Sequence, residues 1–150
     1  MLRTAGLIGI SLLLSLSLAH AGTPQEERNK ANAIAFYNTQ NTKDWAAARP
    51  YVADNYIEHH PKGPQGIPGI QALTNFYKAL PILHPQHRVV IYRALAEGNF
   101  VVLHIRDIEE PGLKGTALIA FYRFDENGKI AEHWHGLQPV AGVMNANGMF

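Results

Sequence analysis

RVVIYRALAEGNFVVLHIRDI, residues 88–108, holds two runs of β-branched and aromatic side chains, Arg88 to Glu97 and Phe100 to Ile108, joined by Gly98-Asn99. A glycine-containing pair between two such runs signals a tight hairpin, because glycine takes the positive φ that two-residue turns require. Downstream, Pro111-Gly112 marks a turn, Gly115 to Phe124 reads as a third strand, Asp125-Glu126-Asn127-Gly128 as a turn, and Lys129 to Gln138 as a last strand. Upstream the pattern is helical. Thr23-Pro24-Gln25-Glu26 combines a threonine cap, a proline in the first turn and a glutamate at the third position, so a helix should start there and run to about Gln40, with Ile34 and Tyr37 facing inward. Asn41 or Thr42 caps a short helix through Trp45 to Ala48, stopped by Pro50. Tyr51 to His60 opens as a helical turn and closes as a short strand at Tyr56-Ile57-Glu58-His59. Pro61 to Gly69, with three prolines and three glycines, is a loop. Leu73, Phe76, Tyr77 and Leu80 form the stripe of a third helix. Helices followed by consecutive antiparallel strands argue for the α+β class: a curved, mainly antiparallel sheet over about three helices, enclosing one pocket.

The 150 residues fit one domain. The first 21 stand apart from it: Arg3, an apolar run from Leu7 to Leu18, then Ala19-His20-Ala21, the small-x-small pattern of a signal-peptide cleavage site. That run is too short for the ~20 residues of a membrane-crossing helix. The sequence thus predicts export, to the periplasm or beyond the cell, of a domain covering residues 22–150, with an irregular tail at 139–150. Without Arg3 the mature chain carries 12 basic and 12 acidic residues, which excludes the basic footprint of a nucleic-acid binder. The absence of cysteine excludes disulfides, thiolate metal sites, cysteine nucleophiles and a lipid anchor on cysteine.

The order of elements, together with Tyr56-Ile57-Glu58-His59-His60-Pro61, Gly128-Lys129-Ile130, Glu132-His133-Trp134 and the tail Asn145 to Phe150, resembles the SnoaL-like (polyketide cyclase-like) branch of the nuclear transport factor 2-like superfamily. It is most similar to the subgroup of predicted aldol-condensation enzymes. The resemblance implies a cone-shaped α+β barrel, a homodimer through the outer face of the sheet, and a hydrophobic pocket at one end. It also implies chemistry without a cofactor on a small, largely apolar carbonyl compound, by a cyclase, isomerase or aldol-type lyase. Cyclases of the broader family use an aspartate four residues after the tryptophan as general acid/base; this chain has Gln138 there, as the subgroup does. Where the subgroup tends to carry aspartates, directly after the tryptophan and in the preceding strand, this chain has His135 and Ala120. Those departures support the alternative of a non-catalytic small-molecule binding or scavenging protein on the same fold.

Histidine is the richest chemical lead, with seven of eight in the mature chain. Regular alternation from Ile130 puts Glu132, Trp134, Gly136 and Gln138 on the inner face of the last strand and His133 and His135 on the outer. A bulge near Gly136 would turn His135 inward. The catalytic expectation falls on His59 and His104 as proton carriers, with Glu132 as a base and Gln138 orienting an oxygen. Tyr37, Tyr56, Trp134 and His135 are expected to line the substrate. The bland alternatives are a half-buried His104 bonded to a neighbouring strand, and a Glu132 tied to Arg123. No metal is expected: His133-x-His135 offers two ligands on one strand face, but spacing fixes no third.

Overall fold

The computed structural model describes residues 22–60, 66–140 and 148–150. Residues 1–21, where the sequence predicts a leader, most of the Pro/Gly loop and most of the tail lie outside the described residues. Helix α1 spans Pro24–Thr42, α2 Trp45–Ala48 and α3 Gly69–Leu83, with a 3-10 turn at Arg49–Tyr51. The strands are β1 Val52–Glu58, β2 Arg88–Glu97, β3 Phe100–Ile108, β4 Thr116–Phe124 and β5 Ile130–Pro139. No helix among the described residues is long and apolar enough to cross a membrane.

The capping box at α1 is as the sequence predicts: the Glu26 backbone N–H donates to Thr23 Oγ1 at 3.2 Å, and the Thr23 N–H donates to Glu26 Oε2 at 2.7 Å. The cap of α2 is Asp44 rather than Asn41 or Thr42, because α1 continues through Thr42 and ends with Lys43 at φ 58°. Asn41 instead bridges helix to sheet: its side chain donates to Val89 O at 3.2 Å and accepts from Val89 N–H at 2.7 Å. The hairpin between β2 and β3 turns through Gly98 at φ 58°.

The five strands lie in the order β1-β5-β4-β3-β2, so the curved sheet is open, with β1 and β2 as its edges. All neighbours are antiparallel except β1 and β5, which run parallel. The parallel pair follows from α3 carrying the chain from β1 to the far edge of the sheet. The helices cover one face, where Phe36, Tyr37, Tyr77, Leu103, Tyr122 and Phe124 are buried, each apolar side chain contributing about 1.5–3 kcal/mol.

The faces of β5 are the reverse of those that regular alternation from Ile130 predicts. Arg123 pairs with Glu132 but Phe124 with Ile130, leaving Ala131 as an extra residue. Such a bulge shifts the pleat by one, and a one-residue shift sends every later side chain to the opposite face. Hence Ile130 and Ala131 are both buried, His133 is 5% exposed, and His133 and His135 face inward. Glu132, Trp134, Gly136 and Gln138 face outward, opposite Arg123, Phe121, Ile119 and Ala117.

Helix α3 meets β1 backbone to backbone at Gly69. A Cβ there would stand 2.4 Å from Tyr56 O and 3.1 Å from Glu58 N. Gly69→Ala is therefore expected to destabilise the protein by about 1–3 kcal/mol through overpacking. Urea unfolding checks this, and an unchanged midpoint would contradict the close approach.

Candidate functional site

Glu58 is the centre of the inner polar cluster. It ends β1 directly beside His133 of β5, since the parallel register pairs the two. One carboxylate oxygen, Oε2, accepts from Tyr56 O–H at 2.5 Å and from His133 Nδ1–H at 3.1 Å. The other, Oε1, accepts from the His60 backbone N–H at 3.0 Å. Because a carboxylate only accepts, His133 carries a hydrogen on Nδ1, and in the neutral imidazole the lone pair is then at Nε2. That Nε2 is buried and has no hydrogen-bond partner among the described residues. The His133 ring stacks on Tyr122 (centroids 4.4 Å, 7° apart in plane), and His135 stands edge-on to it at 3.9 Å. His60 closes the group, edge-on to His135 at 5.1 Å. Tyr37, Tyr77 and Tyr122 wall the interior, and Thr39 Oγ1 and Tyr77 O–H share a 2.5 Å hydrogen bond.

Burial opposes the ionisation of Glu58. The hydrogen bonds from His133 and the Tyr56 hydroxyl outweigh it and hold the carboxyl at about 2. His135 goes the other way. Burial, reinforced by His133, pushes it down to about 3 from an ordinary 6.5, so its imidazole is neutral. Burial likewise raises the phenols of Tyr37, Tyr56 and Tyr122, and Tyr77 to about 12. The interior thus holds a fixed anion, neutral imidazole and protonated tyrosine hydroxyls at neutral pH. Tyr56, Glu58 and His60 also border a cleft of about 480 Å³ between β1 and the start of α3, with Asp54, Asn55, Ile57, Gly66 to Gly69 and Ala72.

Of the residues singled out in the sequence, Tyr37, Tyr56 and His135 lie on this inner side. His59, Glu132 and Trp134 lie together on the other face: His59 stacks on Trp134 (4.5 Å, 3°) and its Nε2–H donates to Glu132 Oε2 at 2.9 Å. Arg123 Nε–H donates to Glu132 Oε1 at 2.6 Å. The hydrogen bonds from His59 and Arg123 pull the Glu132 carboxyl below its ordinary value. His104 is also outward, in register with Ile119 and Arg93. It accepts from Arg93 Nη1–H at 2.9 Å and stacks on Phe150 at 5.4 Å. Gln138 is exposed on that same face. The structure therefore does not bring His59, His104 and Gln138 to the buried cluster. Sequence reading missed Glu58, His133 and Tyr122 as cluster members. The one signal for Glu58 was its place in the Tyr-x-Glu stretch of β1, where strand alternation puts Tyr56 and Glu58 on one face.

The depressed His135 value fixes the sign of an acid response. Between pH 6.5 and 3 the unfolded chain binds a proton at this position that the folded chain does not, so stability falls as pH falls through that window. The effect is at most ~1.4 kcal/mol per pH unit for one proton. His135→Gln is expected to flatten the decline of Tm between pH 6.5 and 4.5; parallel curves for the two proteins would contradict a neutral, buried His135.

The family model described as a SnoaL-like domain matches residues 33–133, about two thirds of the chain. A comparison with curated protein sequences returns no match. Among solved structures, a SnoaL-like protein of unknown function from Burkholderia thailandensis superposes with a TM-score of 0.64 at 14% identity, covering 75% of this chain and 96% of that one. A protein described as a ketosteroid isomerase from Kribbella flavida gives 0.65 at 14% identity, covering 82% and 87%. IdmH from Streptomyces antibioticus, described as a polyketide cyclase, gives 0.59 at 16% identity, covering 73% and 91%. At these identities the structures speak for the fold. With the family model spanning from the middle of α1 to the second residue past the bulge in β5, the chain belongs to the SnoaL-like family.

Proposed function

We propose that this chain takes a small, largely apolar, carbonyl-bearing molecule at the cleft beside β1 and acts on it as a cyclase, isomerase or aldol-type lyase. The observation that carries this reading is the Glu58–His133 pair, a carboxylate fixing an imidazole so that Nε2 offers its lone pair. A histidine held in that tautomer takes a proton from one atom and returns it to another, the operation that enolisation next to a carbonyl requires. Tyr56 O–H, which donates to Glu58 Oε2 in the free protein, would turn from it to an oxygen whose charge grows as the enolate forms. These groups stand in for the aspartates that the chain lacks at His135, Ala120 and Gln138. The descriptions of IdmH and the Kribbella protein as cyclase and isomerase support the same reaction class.

A second reading, a binding or scavenging protein without turnover, is favoured by the enclosure of His133 Nε2 within the tyrosine-walled interior. The two readings separate experimentally. Apolar ketones that raise Tm identify ligands, and turnover of those ligands is then followed. On the enzyme reading His133→Ala lowers turnover by about 100-fold or more, while His104→Ala leaves it unchanged. Ligands that stabilise wild type and His133→Ala alike, with no turnover in either, would establish the binding reading.

We further assign the outer face of the sheet to a second copy of the chain. It exposes Leu95, Phe100, Ile119 and Phe121, an apolar patch on strands that the helices do not cover. Light scattering should report a dimer, and Phe121→Lys should convert it to monomer; a monomeric wild type would end this assignment.

A further inference from the structure

We propose that Glu58, His133 and His135 form a binding site for a divalent first-row transition metal ion. Each of the three offers a ligand atom, and those atoms all lie within 4.8 Å of one another. The strand arrangement makes the set: His133 and His135 project from one face of β5, and parallel pairing puts Glu58 next to His133. Glu58 is the third ligand, 75 residues from His133, that the His-x-His spacing alone leaves undetermined. Two imidazoles and one carboxylate are the protein ligands of catalytic zinc sites and of non-haem iron(II) sites.

Three features favour an ion over a merely structural cluster. Glu58 Oε2 and His133 Nδ1 are 3.1 Å apart, close to the roughly 3.3 Å between two ligand atoms each about 2 Å from a tetrahedral ion. Both nitrogens of His135 are buried without a hydrogen-bond partner among the described residues, an arrangement that folded proteins avoid unless another group bonds them, and an ion beside Glu58 and His133 Nδ1 would bond one of the two. The carboxylate of Glu58 bonds to Tyr56, the His60 backbone and His133, and no lysine or arginine is among those partners. A half-buried anion with no lysine or arginine beside it among the described residues is the charge that a divalent ion neutralises. Tyr56 O–H and the His60 N–H would then orient the carboxylate from outside the coordination sphere.

An ion between Glu58 and His133 takes the place of the hydrogen shared by those two groups. The metal-loaded form and the hydrogen-bonded dyad are thus alternative states of one cluster, and the inference stands whether or not the dyad turns over a substrate. Its test is binding, not activity. The purified full chain, stripped with EDTA and desalted, is titrated with cobalt(II) and then zinc(II), followed by visible absorption and native mass spectrometry. One cobalt equivalent with ligand-field bands, displaced by one zinc, is expected. His135→Ala should weaken it by about 100-fold or more, at or beyond the upper end of what loss of an orienting partner costs. The variant breaks no described hydrogen bond of the His135 ring, so a retained circular-dichroism melt is expected; His135→Gln serves if it fails. His59→Ala and His104→Ala, on the outer face, should bind as wild type does. Absence of a stoichiometric complex overturns the proposal and leaves water as the partner of those nitrogens. So does binding that survives His135→Ala or is lost with His59→Ala. Neither outcome touches the dyad reading, which stands or falls on turnover by His133→Ala.

Discussion

At the start of β5 the chain spends two residues, Ile130 and Ala131, on one side of the sheet, and the extra residue inverts the pleat for the rest of the strand. Everything chemical in the interior depends on that irregularity. With regular pairing His133 and His135 would stand beside Phe121 and Ile119 on the outer face, and Glu132, a charge with an arginine partner, would be driven into the core. The bulge instead leaves Glu132 where Arg123 and His59 can reach it, and puts imidazoles against Tyr122 and the carboxylate of Glu58. One inserted residue thus separates a surface ion-pair group from an interior polar one on the same short strand.

The interior group shows how an apolar core holds a charge. An isolated carboxylate would be protonated there. Glu58 stays ionised because both oxygens are occupied by donors from three sources: a phenol, a peptide N–H and an imidazole. The surrounding tyrosines extend the pattern, since their rings fill the core as hydrocarbon while their hydroxyls lie among the polar groups. His135 is the unbalanced member. It lies beside these groups, yet neither of its nitrogens is bonded among the described residues, and burial keeps it neutral.

Much of the fold could be read from periodicity and turn chemistry. The runs at 88–97 and 100–108 are strands with those bounds, and the capping box at Thr23 starts α1 as its residues require. The α2 cap could not be read, because Asn41, Thr42 and Asp44 are all competent caps and only the length of α1 decides among them. The chemical site was less legible for a sharper reason. Both faces of β4 are apolar, with Leu118, Tyr122 and Phe124 inside and Ile119 and Phe121 outside, so hydrophobicity gave no measure of which way β5 faced. Trp134 suggested the core by its size, but it lies with Phe121 on the outer face. A bulge at Gly136 was conceivable from glycine; a bulge at Ala131 has no residue that announces it. Glu58 joins His133 only through parallel pairing across 75 residues, a contact that local patterning does not encode.

The position of Glu58 also bears on how the molecule comes apart. It sits on β1, an edge strand with one neighbour in the sheet, whose register with that neighbour is irregular between Val52 and Ile57. On its other side β1 is held by α3 through the close approach at Gly69. Opening of this edge would detach β1 while β2, β3, β4 and β5 kept their ladder, a partial unfolding of lower free energy than loss of the whole domain. The carboxylate, half-buried in the folded state, would then be fully hydrated. The polar site is therefore less cooperative than the centre of the sheet: amide protons of β1 should exchange before those of β3 and β4, and mild denaturant should disassemble the cluster while most of the sheet is still intact.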